Sequence, residues 1–191
     1  MQSSSRPVAE FFFSSKNVGE AREPRFTGRS ASFQCGATVR VSLNVDESQI
    51  IREEKFKAAG CSVLVASASL LIDQVLGKTT GEAAALGQQT EALKQRLGAL
   101  PAERSECPVL AGEALVSAIR NYSDSARDEW EGDEALICTC FCVSERTIER
   151  EIQQHELRTI AEVTAICRAG AGCRSCYPLI QDILEEVNRE S

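Results

Sequence analysis

The feature that most constrains this chain is a pair of close thiol pairs, Cys138-Thr139-Cys140 and Cys173-Arg174-Ser175-Cys176, separated by residues 141–172. Any fold that unites them gathers four thiolates, enough to hold a [2Fe–2S] cluster, a [4Fe–4S] cluster or a structural zinc ion. The spacing leans away from zinc, whose modules usually place two to four residues between paired cysteines. A one-residue gap puts both side chains on the same side of an extended chain, which suits two ligands on one iron. Ala169-Gly170-Ala171-Gly172 leads into the second pair. With so little side chain there, backbone N–H groups can approach cluster sulfurs closely.

Ile137-Cys-Thr-Cys-Phe-Cys-Val-Ser-Glu-Arg-Thr-Ile148, followed by Arg168-Ala-Gly-Ala-Gly-Cys-Arg-Ser-Cys-Tyr-Pro178, resembles the bacterioferritin-associated ferredoxin-like (BFD-like) [2Fe-2S] domain. The same domain forms the middle of NifU proteins. The resemblance implies Cys138, Cys140, Cys173 and Cys176 as ligands of a permanent [2Fe-2S] cluster. Cys142 stands where the family usually has a small residue, often Gly, and leaves a fifth thiol nearby. Cys167 reads most simply as a small buried apolar residue.

A length of 191 residues fits one large or two small domains, and an apolar share of 43% permits a sizeable core. The net charge of −7 excludes a non-specific nucleic-acid binder, which needs a basic face. The longest apolar run, residues 63–76, is broken by serines and Asp73 and is too short to cross a bilayer. A cytoplasmic protein without a membrane partner is therefore expected, and there paired thiols read as metal ligands rather than disulfides. The Ser-rich start reads as a loose terminus.

Periodicity places the elements. Residues 1–10 read as loose, Phe11-Phe12-Phe13 as an apolar cluster docking a short helix, and 16–32 as largely loop. From Ala37 to Val45 apolar and polar residues alternate strictly, the mark of a half-buried strand. Residues 50–57 supply a hairpin partner across the turn at 46–48, with a third strand near 26–33. Residues 61–76 are small and apolar nearly all round and predict a buried helix ended by Gly77. Thr79-x-x-Glu82 is a capping box, residues 91–97 continue helical, and Pro101 interrupts. Cys107-Pro108 opens a helix to about Tyr122. The acidic stretch 121–134 reads as a solvated connector. Beyond it Ser144 caps a helix, Thr159-x-x-Glu162 opens another, and Pro178 starts the last, with a stripe of Leu179, Ile180, Ile183, Leu184 and Val187.

Cys35, Cys61 and Cys107 form a second thiol set. Cys35 precedes Gly36 at the head of the alternating strand, and the other two sit at predicted helix starts. Unpaired N–H groups and partial positive charge at a helix start lower a thiol's pKa, favouring the reactive thiolate. The residues alone leave reactive thiols and three buried cysteines equally open. Here the sequence resembles a second family. Asn17-Val-Gly, Gly28-Arg-Ser-Ala-Ser-Phe-Gln-Cys-Gly36, Phe56-Lys-Ala-Ala-Gly-Cys-Ser-Val-Leu-Val-Ala-Ser-Ala-Ser-Leu70, Gly77-Lys-Thr and Cys107-Pro-Val-Leu-Ala111 are similar to the NifU N-terminal (IscU-like) scaffold domain.

The two resemblances imply an α+β chain. Residues 8–122 form an IscU-like domain with a small antiparallel sheet and packed helices, 123–135 an acidic linker, and 136–189 a small all-helical BFD-like module. They also imply Cys35, Cys61 and Cys107 as ligands of a transient Fe–S cluster or iron. The implied function is that of a scaffold, a carrier and not an enzyme. It binds iron, accepts sulfur from a cysteine desulfurase and delivers clusters to apo iron–sulfur proteins, with an electron donor and a homodimer as further implied partners. The third domain of full NifU, with its own C-x-x-C, has no counterpart among these residues.

Three positions depart from the family pattern. Ala37 stands where Asp is usual and Glu106 where His is frequent. That leaves a fourth metal position for Glu106, solvent or a thiol from a second copy. Leu100-Pro-Ala-Glu-Arg104 replaces a chaperone-recognition segment. The loss of the Asp opens an alternative, an electron-transfer or regulatory [2Fe-2S] module whose N-terminal site is stabilised or vestigial. A third reading is a zinc-bound structural protein. Gly77-Lys78-Thr79-Thr80 lacks the preceding Gly of a phosphate loop, and His155, the one histidine, reads as a surface turn residue.

Overall fold

The structure, a computed structural model, describes residues 6–23, 25–46, 48–128 and 135–190. The chain divides into two compact units, Met1–Tyr122 and Ser123–Ser191. The Ser-rich start at 1–5 and the acidic residues 129–134, Trp130 among them, lie outside the described residues.

The first unit is built on a three-stranded antiparallel sheet, β1 (Phe26–Ala31), β2 (Thr38–Val45) and β3 (Ile51–Ala59), with β2 central. The alternation in β2 does what its period demands: Ala37, Val39, Val41, Leu43 and Val45 are all buried toward the helices. Ser42, on the opposite face, is buried too. The chain entering β1 crosses that face, and the Ala21 N–H donates to Ser42 Oγ at 2.9 Å. Helix α1 (Arg6–Phe13) precedes this strap. It docks through Val8 and Phe11, while Phe12 and Phe13 are exposed, so the triple-Phe cluster does not dock as a block. Helical spacing allows one face to be buried, and residue 13 lies off it.

Helix α2 (Ser62–Ile72) is buried on nearly every side, as its composition requires. It stops at Ile72 rather than running to Leu76. The sheet competes for the chain there: the Gly77 N–H donates to Ile51 O and the Ile51 N–H to Lys78 O, both at 2.9 Å. Gly77 meets this with φ +74°, a conformation glycine adopts without penalty. Helix α3 (Thr80–Gln88) opens on a complete Thr79–Glu82 capping box, and α4 (Thr90–Leu97) buries Leu93 and Leu97. A 3₁₀ turn, Ala102–Arg104, leads to the 22-residue helix α5 (Cys107–Asp128). Helix α5 lies against β1 at Gly28, where a Cβ would fall 2.1 Å from Ala118 N and 2.2 Å from Ala114 O. The helix runs past Tyr122, whose ring meets Phe26 edge-on at 4.9 Å, so the expected connector is helical as far as Asp128.

The second unit has its own core of Ile148, Ile152, Val163, Ala169, Ile180 and Leu184. Helices α6 (Glu145–His155), α7 (Ile160–Cys167) and α8 (Tyr177–Glu190) surround it. To the expected all-helical module the structure adds a short antiparallel ladder, β4 (Leu136–Cys138) with β5 (Val143–Ser144). The ladder folds residues 139–142 into a turn, so Cys140 lies in that turn and not on the extended chain that its one-residue spacing from Cys138 suggested. Ser144 Oγ accepts from the Thr147 N–H at 3.3 Å, and Thr159 and Glu162 form the second capping box. Leu179 is exposed and drops out of the predicted stripe. His155 belongs to the last turn of α6, with Nε2 3.4 Å from Glu151, rather than to a turn between helices.

Candidate metal centres

In the second unit, β4 delivers Cys138 to the floor of the site and the following turn brings Cys140 beside it. The other pair lies between α7 and α8. Arg168 ends α7 at φ +65°, and Gly170 at φ +82° and Arg174 at φ +63° curl the chain back over the first pair. The four sulfurs are neighbours: Cys140 Sγ lies 3.4 Å from Cys173 Sγ, and Cys138 interacts with both Cys140 and Cys176. Cys138 and Cys176 are buried, Cys140 is half-buried and Cys173 exposed, so the site is open on one side.

The glycines are part of this site. The Gly170 N–H points at Cys138 Sγ from 3.5 Å. A Cβ at Gly170 would strike the Tyr177 ring at 2.4 Å, and one at Gly172 would sit 3.0 Å from Cys140 Cβ and 3.1 Å from its sulfur. The small residues before Cys173 therefore leave room that any side chain would fill. The Arg168 guanidinium stacks 5.0 Å above the Phe141 ring. The hydrogen bond with Cys140 and the Gly170 N–H hold the Cys138 thiol below its ordinary pKa. Cys140 is pushed up, first by that same bond and then by burial. Burial raises Cys176 as well. A proton shared among such neighbours leaves when metal takes its place.

In the first unit, Cys35 projects from a tight β1–β2 loop in which Ser32 N–H donates to Ala37 O at 2.8 Å and Gly36 N–H to Ser32 O at 2.9 Å. Gly36 sits at φ +68°. Cys61 is the N-cap of α2 and Cys107 the first residue of α5, and their sulfurs lie 3.7 Å apart. Cys35 is exposed, and a hydrogen bond with Ser32, then one with the Ala37 backbone, then the Arg104 charge lower its pKa. Cys107 is buried and pushed up to about 12, by burial first and by Cys61 second. The helix start at Cys107 does not produce the lowered pKa expected of it, because desolvation outweighs the partial charge of the helix end. Ala37 is packed in the core, and the exposed Glu106 stands next to Cys107.

Two contributors escaped the sequence reading. Arg104 acts on both Cys35 and Cys107 from the 3₁₀ turn, and Ser32 serves Cys35 from within its own loop. A cation three residues before a helix-start cysteine is the signal that could have found the first. Among the described residues no three or more His, Cys, Asp or Glu side chains converge as a single metal ion needs. The shortest sulfur contacts are pairwise instead, Cys140 with Cys173 and Cys61 with Cys107. A [2Fe–2S] cluster also takes its ligands in pairs, two thiolates on each iron, so the second site fits that group better than it fits a lone zinc.

Cys142 occupies the left-handed region, φ +50°, in the turn between the strands, which gives a physical reason for a glycine there. Cys142→Gly should raise stability by about 1 kcal/mol in chemical denaturation and leave iron and sulfide content unchanged. Loss of the visible cluster spectrum in this variant would make Cys142 a ligand.

Comparison with known proteins follows the same division. Residues 4–128 match the family described as "NifU-like N terminal domain", and residues 136–186 the "BFD-like [2Fe-2S] binding domain". The nitrogen fixation protein NifU of Azospirillum brasilense is 35% identical over 183 residues, 94% of this chain and 58% of that protein. The iron-sulfur cluster assembly scaffold protein IscU of Azotobacter vinelandii is 34% identical over 118 residues, 60% of this chain and 90% of its own. The crystal structure of the N-terminal part of a nitrogen-fixing NifU-like protein from Brucella abortus superposes with a TM-score of 0.51. It covers 62% of this chain and 93% of that one at 21% identity, which speaks for the fold alone. The chain thus spans about three-fifths of the length of the NifU protein it matches.

Proposed function

The chain belongs to the NifU-like N-terminal domain family, with a BFD-like [2Fe-2S] domain behind it, and from that premise we propose that it is an iron–sulfur cluster assembly scaffold. The observation that carries the proposal is the contrast between its two thiol sets. One has three members on loop and helix ends, with Cys35 exposed and its pKa lowered. The other has four, two of them buried, with a backbone N–H directed at one sulfur. Cargo that must be built and released needs the first arrangement, and a resident group needs the second.

In this reading Cys35, Cys61 and Cys107 hold iron and sulfur as substrate. The exposed Cys35 sulfur attacks the outer sulfur of a cysteine desulfurase's persulfide and releases the desulfurase thiol, and two electrons from the electron donor then reduce the sulfur so gained to sulfide. Cys61 and Cys107 share one metal from their position 3.7 Å apart. Arg104 offsets the negative charge gathered there, and Ala37 contributes no oxygen ligand. Glu106, solvent or a thiol of a second copy in a homodimer completes the set. The product passes to apo iron–sulfur proteins, and the chain is a carrier rather than a catalyst. Cys138, Cys140, Cys173 and Cys176 would hold a [2Fe-2S] cluster, which supplies one-electron chemistry when bound. An electron donor is the partner that chemistry requires. No helix among the described residues is long and apolar enough to cross a membrane, and we place the protein in the cytoplasm with neither membrane nor nucleic acid as partner.

The test is anaerobic reconstitution with desulfurase, cysteine, ferrous iron and dithiothreitol to reduce the persulfide sulfur, followed by mixing with an apo-ferredoxin. Holo-ferredoxin should form at a rate set by the scaffold. Formation no faster than with free iron and sulfide would leave the alternative, an electron-transfer or regulatory module with a vestigial N-terminal site.

A further inference from the structure

The outer face of the three-stranded sheet carries a row of cations. The register sets Arg29 of β1 opposite Arg40 of β2, and Arg40 opposite Lys57 of β3, so the three side chains share one face. Like charges directly opposite across strands are destabilising, and this row occurs in a chain of net charge −7. Glu20, from the strap over the sheet, pairs with Arg40 at 2.9 Å and with Lys57 at 3.3 Å. Among the described residues no carboxylate pairs with Arg29, and Arg40 Nε finds no acceptor. Toward the cysteine end the next row is Ala31, Thr38 and Ala59, all small and exposed. Together these residues line an open cavity of about 550 Å³. It ends where the loop to Cys35 begins, and two residues before Cys35 the Phe33 ring is fully exposed, at 104%.

We propose that this cationic face is a docking site for an acidic segment of a partner protein that approaches Cys35. Neighbouring strands lie about 4.8 Å apart, so the row spans about 10 Å, more than one oxyanion can neutralise. Two or more carboxylates on alternate residues of an extended segment match that width. The chain's net charge of −7 opposes an acidic segment as a whole, so a cationic row on it orients the approach. Phe33 offers the partner an exposed aromatic anchor next to the thiol. The inference rests on the scaffold reading only in giving a partner a reason to approach Cys35.

The test measures binding of a short blocked peptide of alternating Glu and Ser to the metal-free full chain, by fluorescence anisotropy at low salt. The expected result is saturable binding, weakened at least tenfold in Arg29→Glu/Lys57→Glu and unchanged in Arg189→Glu, a charge reversal on α8. Backbone resonances of Ala31, Thr38 and Ala59 should shift on titration. Arg29→Ala/Lys57→Ala, whose fold is checked by its thermal transition, should weaken binding as well. Binding by both double variants as tight as that of the wild type, or no binding to the wild type, overturns the proposal. So does displacement of the peptide by citrate or phosphate at its own concentration, which marks a small-anion site. Since no cluster is loaded, these outcomes leave the assembly test untouched.

Discussion

A Cys35→Ser/Cys61→Ser/Cys107→Ser variant is expected to keep the visible [2Fe-2S] spectrum of the wild type and to lose all transferable cluster. The two thiol sets belong to different compact units, and each unit has its own hydrophobic core. Three serines in the first therefore leave the second folded and its donors in place. Cys35 is exposed and Cys61 half-buried, so serine there changes little packing. Only Cys107 loses a buried sulfur, at a cost of about 1 kcal/mol. The converse substitution, Cys138→Ser, removes the sulfur that Gly170 N–H approaches and that links Cys140 to Cys176. That variant should purify without its visible spectrum, while iron still binds the first unit. Iron and sulfide analysis with absorption spectra of anaerobically prepared protein reads both variants. A colourless triple-serine variant, folded by circular dichroism, would end the division into a resident and a transferable site.

Much of this architecture was legible because it follows from local physical demands. Strand β2 announced itself by alternation, since a half-buried strand must place every second residue in the core. The capping boxes at Thr79 and Thr159 formed as written, because they need only residues three apart. What escaped depends on tertiary competition. The end of α2 was set by hydrogen bonds between Ile51 and residues 77–78, which no helical pattern encodes. The exposure of Phe12 and Phe13 depends on which face of α1 meets α2. The ladder beside the cysteines is too short to leave a periodic trace, and the positive φ of Cys142 is invisible in a residue that is not glycine. At the site itself, motifs alone proposed one set of three cysteines and one of four. The electrostatic contrast between Cys35 and Cys107 could not be read there. It depends on burial and on Arg104, which reaches the thiols only once the turn at Ala102–Arg104 has formed.

That contrast yields the second large effect. In metal-free protein, iodoacetamide at pH 8 should alkylate Cys35 at least about tenfold faster than Cys107. The thiolate is the nucleophile, so the rate follows the fraction deprotonated and the access of the reagent. An ordinary thiol near pKa 9 is about one-tenth thiolate at pH 8, and Cys35 lies below that value because Ser32, the Ala37 backbone and Arg104 favour its anion. Cys107, pushed up to about 12, is almost wholly thiol at pH 8, which outweighs the greater nucleophilicity of the thiolate it does form. The pH dependence has a definite sign. Cys107 alkylation should rise about tenfold per pH unit across the whole accessible range, whereas Cys35 alkylation should level off once its lower pKa is passed. Peptide mapping of timed reactions at several pH values separates the two residues. Replacing Arg104 by Gln removes a charge that favours both thiolates, so both rates should fall, with Cys35 still the faster. If Cys107 were modified as quickly as Cys35, the buried thiol would be open to solvent and the first unit could not hold its cargo against a wall of its own core. A slow Cys107 beside a fast Cys35 implies a sequence of events: sulfur arrives at the exposed Cys35, and the buried Cys107 gives up its proton when metal displaces it.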